Sequence, residues 1–270
     1  MRKTILLLAS VALAVLLAGG VALLSTTEAT AAKPKPLYPN LKTLKPTRLT
    51  FGTYPIGGTR HYILRFTNTV WNAGQGPLEV RGKIVRTPSG KKKTKAVQRI
   101  YNRKGDYETT KPVGTFVYHP SHNHMHFGDF SEYQLWRRAD YDKWVRMGRD
   151  EQERVEKEGA KNGVCMLDTR KVKDLRGTPE RKVYRFCTTR RQGLSVGFGD
   201  TYNYRLPDQW VDLGTAPLKD GDYVLRSVAD PKNILYESPN RRYEWRESRI
   251  KNAALTYFTV EGGTITVTAL

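Results

Sequence analysis

Most of this chain changes between apolar and polar character at short range. Leu78-Glu79-Val80-Arg81-Gly82-Lys83-Ile84-Val85 alternates, and so does Gly128-Asp129-Phe130-Ser131-Glu132-Tyr133-Gln134-Leu135-Trp136. A period of two puts one set of side chains on a buried sheet face and the other towards water. Residues 62–71 are rich in β-branched and aromatic types, which favour strands. Further short strands are expected at 96–101, 114–118, 184–188, 210–213, 223–228, 253–260 and 263–270. Turn-forming runs separate them, among them Asn72-Ala73-Gly74-Gln75-Gly76-Pro77, Ser89-Gly90-Lys91, Lys219-Asp220-Gly221-Asp222 and Gly262-Gly263. Residues 193–199 read as a Gly-punctuated loop. Strong helical composition is confined to 150–161, which has almost no apolar face and reads as a surface helix or a loop. The pattern predicts an all-β fold, a β-sandwich with long loops and little helix.

Two segments fall outside that pattern. Residues 1–32 begin with Arg2 and Lys3, continue through an apolar run over 5–24, and end near Ala29-Thr30-Ala31. This is the layout of a signal peptide, so the chain is expected to be exported, to be secreted or held at the cell surface. The apolar run is long enough to serve as an anchor if it is not cleaved. Residues 33–270 are then expected to form a single domain. Its first stretch, 33–47, is a Pro- and Lys-rich leader docked through Leu37-Tyr38-Pro39-Asn40-Leu41.

Charge narrows the partners. With 46 Lys+Arg against 26 Asp+Glu the formal charge is +20, while 15 Tyr supply too many anchors for a disordered chain. A surface this basic attracts polyanions. No nucleic-acid motif supports a specific nucleic acid, and anionic lipid and anionic cell-wall polymers stay open as partners. The two cysteines, Cys165 and Cys187, form an even count in an exported chain. A Cys165–Cys187 disulfide is expected, with two free thiols as the alternative.

The candidate chemistry lies in Tyr118-His119-Pro120-Ser121-His122-Asn123-His124-Met125-His126-Phe127, which holds four of the five histidines. His122, His124 and His126 stand at i, i+2 and i+4. In an extended strand that spacing puts three imidazoles on one face. Imidazole suits copper, zinc and nickel, and three such ligands leave positions open for substrate. A His-rich surface tract is the alternative. His119 is odd in this series and precedes Pro120, so it is expected to point to the opposite face.

At these residues the chain resembles the lysyl oxidase family. The histidine segment, followed by Asp129-Phe130-Ser131 and Tyr133, is similar to that family's copper-binding strand. Glu158-Gly159-Ala160-Lys161-Asn162-Gly163-Val164-Cys165 resembles the segment carrying its cofactor lysine. Asp200-Thr201-Tyr202-Asn203 and Gln209-Trp210-Val211-Asp212 resemble the segment carrying its cofactor tyrosine. The likeness covers most of 115–240, in order, and 37–82 more loosely.

The resemblance implies a secreted copper amine oxidase. His122, His124 and His126 would bind copper, and Lys161 and Tyr202 would be fused into lysine tyrosylquinone. Primary amines or lysine side chains of proteins and molecular oxygen would be the substrates. Aldehyde, hydrogen peroxide and ammonia would be the products. Asp200 and Glu132 are the nearest carboxylates to these motifs. Tyr118 and Ser121 depart from the family's tryptophan and cysteine, and Glu132 stands where animal members have histidine. An acidic calcium-binding segment is not clearly reproduced at 240–246. Two other classes fit the same histidines: a copper-binding or wall-associated module without quinone activity, and a zinc hydrolase.

Overall fold

The computed structural model describes residues 34–86, 88–148, 151–152, 160–237 and 252–268; the side chains of Lys92 and of residues 160–162 lie outside the described set. The signal segment, most of the expected 150–161 helix and the 240–246 stretch also lie outside the described residues. In chain order the elements are β1 (Pro36–Leu37), β2 (Leu41–Thr43), β3 (Thr47–Ile56), β4 (Thr59–Asn72), β5 (Leu78–Arg86), β6 (Lys92–Asn102), β7 (Tyr107–His119) and β8 (His124–Arg137). They continue with helix α1 (Arg138–Arg146), then β9 (Ala160–Val164), β10 (Arg170–Lys171), β11 (Gln192–Leu194), β12 (Phe198–Tyr202), β13 (Trp210–Gly214), β14 (Gly221–Ala229), β15 (Ala253–Glu261) and β16 (Thr264–Val267).

Among the described residues the named strands pair antiparallel and make two sheets. The larger runs β11-β5-β6-β7-β8-β14-β15-β16, with β1 added on β6 and β9 on β8. The smaller is built around β4, which takes β2, β3, β12 and β13, with β10 beyond β12. The apolar core draws on both. Val70 from the small sheet and Phe127 and Phe130 from the large one share one cluster with Leu41, Leu78 and Leu194. Leu64 and Phe66 meet Tyr133, Leu225 and Phe258 in a second. A core filled from two inner faces is a sandwich. The all-β reading is therefore correct.

The expected strands are present and longer, because a ladder continues where a neighbour offers paired groups even when the pattern fades. The leader joins the fold: β2 pairs with β4, Leu41 is fully buried, and its N–H is taken up by the buried Glu237 carboxylate. Three expectations need correction. Residues 184–188 form no strand. The Tyr184 side chain is instead drawn inwards, where its hydroxyl donates to Glu79 at 3.2 Å. Residues 193–199 are no free loop, since β11 pairs with β5 there. The approach is so close that a Cβ on Gly193 would lie 2.1 Å from the Leu78 carbonyl oxygen, which only glycine permits. Ala160 and Lys161, the end of the expected helix, lie in β9, where pairing with β8 overrides helical composition. Helix α1 had one legible signal, Tyr141 and Trp144 at i, i+3. Both are buried, and Trp144 packs 5.6 Å from Trp136.

Candidate metal centre

The histidines sit on the hairpin of β7 and β8. Its register pairs Val117 with His126, Tyr118 with Met125 and His119 with His124. Residues 120–123 form the turn, closed by the Asn123 N–H donating to the Pro120 carbonyl, with Asn123 in the left-handed region at φ 54°. Cross-strand partners share a sheet face. His119 therefore lies on the face of His124, and His126, two residues on, shares it. This corrects the expectation that His119 points away. Parity along one strand does not apply, because the chain reverses between His119 and His124 and Pro120 is in the turn, where it breaks no ladder. His122 belongs to the turn rather than to the strand.

The four rings converge on His126. Its ring centroid is 4.6 Å from that of His119, 5.0 Å from that of His122 and 4.9 Å from that of His124. The ring nitrogens of His119, His122 and His126 lie within 4.8 Å of one another, and Nε2 of His124 is 3.0 Å from Nε2 of His126. Burial holds His126 far below the usual imidazole range, at about 4, and the neighbouring His119, His122 and His124 push the same way; the Gly163 backbone offsets part of this. His124 is lowered for the same reasons, burial first. Neutral imidazole is the form that binds metal. His126 Nδ1 is buried with no hydrogen-bond partner. Convergent imidazole nitrogens with an unsatisfied member fit a copper or zinc ion. His124 also approaches Cys165 and Cys187, but those sulfurs are joined in a disulfide with Cα atoms 5.4 Å apart, so they are no metal ligands. The expected pairing is present.

Tyr202 opens on the same cavity. A space of about 330 Å³ is lined by His119, His122, His126 and Tyr202, with Asp129 and Asp208 at its walls. Tyr202 ends β12, opposite Asn68 of β4. Its hydroxyl accepts the Cys165 N–H at 2.9 Å and donates to the Cys165 carbonyl at 3.3 Å. Burial, then the nearby Asp200 carboxyl, raises the phenol well above the usual tyrosine range. Asp200 is itself raised well above the carboxylate range, by burial first; the Leu167 N–H, 3.3 Å away, works against the shift and Asp168 adds to it. Lys161 stands opposite Glu132 in the β8–β9 ladder, and its side chain lies outside the described residues. Glu132 is buried and accepts from Gln134 Nε2 at 2.8 Å. Sequence reasoning missed Asp208, because no local pattern marks a carboxylate that reaches the histidines from a loop more than eighty residues downstream.

The chain matches the lysyl oxidase family over residues 85–244. Lysyl oxidase homolog 1 of Homo sapiens is 33% identical over 143 residues, which is 52% of this chain and 21% of that protein. Protein-lysine 6-oxidase of Sus scrofa is 32% identical over 144 residues, 52% of this chain and 49% of that protein. For protein-lysine 6-oxidase of Gallus gallus the figures are 30% over 145 residues, 52% and 29%. The chain thus spans half or less of these relatives. The family match holds the histidine hairpin, Lys161, the disulfide and Tyr202 within one continuous stretch, and the chain belongs to the lysyl oxidase family.

Proposed function

We propose that this protein is an exported, copper-dependent amine oxidase of lysyl oxidase type. It converts a primary amine or a lysine side chain to an aldehyde: RCH2NH2 + O2 + H2O gives RCHO + NH3 + H2O2. The observation that carries this reading is the convergence of His119, His122, His126 and Tyr202 on one cavity. His122, His124 and His126 would hold the copper, and His119, whose ring nitrogens lie within 4.8 Å of those of His122 and His126, is a fourth candidate ligand. Bound there, copper would supply the redox chemistry with O2, and Lys161 and Tyr202 would provide the lysine and phenol of a lysine tyrosylquinone, whose carbonyl chemistry suits a primary amine.

The chain's own residues do the rest. Burial lowers His124 and His126 towards the neutral form that ligates a metal. The Cys165 backbone grips the Tyr202 hydroxyl from both sides, so the ring is held at the cavity wall. Lys161 lies four residues before Cys165 on β9, so the strand and the disulfide together limit where it can reach. Asp200, two residues before Tyr202 on β12, lies on the same strand face, and burial raises its carboxyl well above the usual carboxylate range, which makes it a candidate proton carrier for the ring. The signal segment delivers the protein outside the cell, and its basic surface suits anionic wall polymers.

The test is direct. Copper-loaded, aerated protein is expected to release hydrogen peroxide from a primary amine and to yield a crosslinked Lys161–Tyr202 peptide by mass spectrometry. Lys161→Arg and Tyr202→Phe should abolish both and still bind copper. Turnover that persists in either variant excludes the quinone mechanism. Copper binding with no peroxide from any amine favours a copper-binding module.

A further inference from the structure

We infer that Asp208 supplies an oxygen ligand to the copper ion at the histidine hairpin, with Ser121 positioning both it and His119. This rests on the copper reading above and adds a ligand from outside the hairpin.

Asp208 lies in the loop between β12 and β13 and adopts φ 60°, a left-handed conformation that Asp tolerates better than most residues. The loop carries its carboxylate to the hairpin turn. There the Ser121 hydroxyl donates to Oδ2 of Asp208 at 2.7 Å. The same hydroxyl is 3.0 Å from Nδ1 of His119. A serine hydroxyl has one proton, and it is directed at Asp208. It must therefore accept at its other contact, so the His119 proton sits on Nδ1. That leaves the Nε2 lone pair of His119 free to ligate. A metal-binding histidine characteristically donates its other N–H to an oxygen in this way.

The distances then separate two roles for the carboxylate. Oδ2 of Asp208 is 3.9 Å from Nε2 of His119 and 3.9 Å from Nε2 of His122. Hydrogen bonds from imidazole would be shorter, at about 3.2 Å or less. Two atoms that each bond one ion at about 2.0–2.2 Å can lie as far as about 4.2 Å apart. The carboxylate is therefore too far from either ring to hydrogen-bond it and near enough to share an ion with both. His122 Nε2 is also 3.3 Å from the Pro207 carbonyl, a contact that an ion between His122 and Asp208 would replace. The other carboxylate at the cavity wall, Asp129, is tied to Lys232 at 2.7 Å. Among the described residues that line the cavity, Asp208 is thus the carboxylate not tied to a cationic side chain at hydrogen-bond distance, and so the one placed to balance the charge of a divalent ion.

The experiment is an anaerobic Cu(II) titration of the full chain, read by affinity and by electron paramagnetic resonance, for wild type, Asp208→Asn, Asp208→Glu and Ser121→Ala. Asp208→Asn is expected to weaken Cu(II) binding by about ten- to a hundredfold. Its spectrum should move towards an all-nitrogen ligand set. Asp208→Glu should keep the oxygen signature, and Ser121→Ala should lose less affinity than Asp208→Asn. Wild-type affinity and spectrum in Asp208→Asn would overturn the proposal. Weaker binding with an unchanged spectrum would overturn it too, since Asp208 would then support the histidines without touching the ion. Failure of the wild type to bind Cu(II) would overturn both this and the copper reading. Asp208 is half-buried in a loop, so melting of the metal-free variants at the wild-type temperature is the control for folding.

Discussion

Burying His126 has an electrostatic cost, and the cost has a sign. Its folded-state value sits at about 4 against an ordinary 6.5, because burial and three neighbouring imidazoles disfavour the charged ring. Between those values the unfolded chain takes up a proton that the folded chain refuses. Metal-free protein is therefore expected to hold this contribution fully above about pH 6.5 and to lose it as pH falls towards 4. Thermal melting of chelator-treated protein from pH 8 to pH 4 measures it. His126→Gln, which cannot protonate, should flatten part of the fall. An equally steep fall in that variant would place the loss elsewhere. His119 teaches a related lesson about single residues. Parity assigned it to the wrong face, because cross-strand register and not sequence spacing decides which side a residue takes after a hairpin.

Among the elements, β9 and β12 are tied together at Cys165. The disulfide to Cys187 spans 22 residues, and the Cys165 backbone holds the Tyr202 hydroxyl. A Cys165→Ser/Cys187→Ser double variant is expected to lose about 3 kcal/mol of stability in denaturant unfolding, from the loop entropy it returns to the unfolded chain. It should also form the Lys161–Tyr202 crosslink more slowly, since the phenol loses a fixed neighbour, while its copper affinity stays near wild type. Unchanged crosslinking would mean that strand pairing alone holds Tyr202. The strands themselves were largely readable, from alternation in β5 and β8 and from β-branched and aromatic content in β4. Helix α1 and the short strands β10 and β11 were not. Their few residues are defined by what they pack against, as Trp144 by Trp136 and Gly193 by Leu78.

For the molecule as a whole, a formal charge of +20 bears on the proposed amine substrates. Repulsion raises the barrier to meeting a Lys-rich basic chain and lowers it for a lysine among acidic residues. Copper-loaded protein is expected to show a higher kcat/KM on a lysine peptide flanked by Asp and Glu than on one flanked by Lys. The ratio should shrink as salt is raised from 0.01 M to 1 M, as the screening length falls from about 30 Å to about 3 Å. A ratio that ignores salt would assign the preference to contacts within the cavity instead.

Chain order and side-chain chemistry alone determined the all-β class, the Cys165–Cys187 pair and the family likeness through Lys161 and Tyr202, and marked the histidine-rich segment as the candidate seat of chemistry. These are local or compositional properties: period, residue type, an even count of two, motifs in a fixed order. The tertiary structure decided the rest, because it depends on which distant backbones meet. It turned His119 into the cluster through the β7–β8 register and set Tyr202 on the same cavity through β4 and β12. It delivered Asp208 to Ser121 through a loop that no periodicity marks. It also made neutrality a property of His126, since the burial that holds a ring uncharged exists only once two sheets have closed over it.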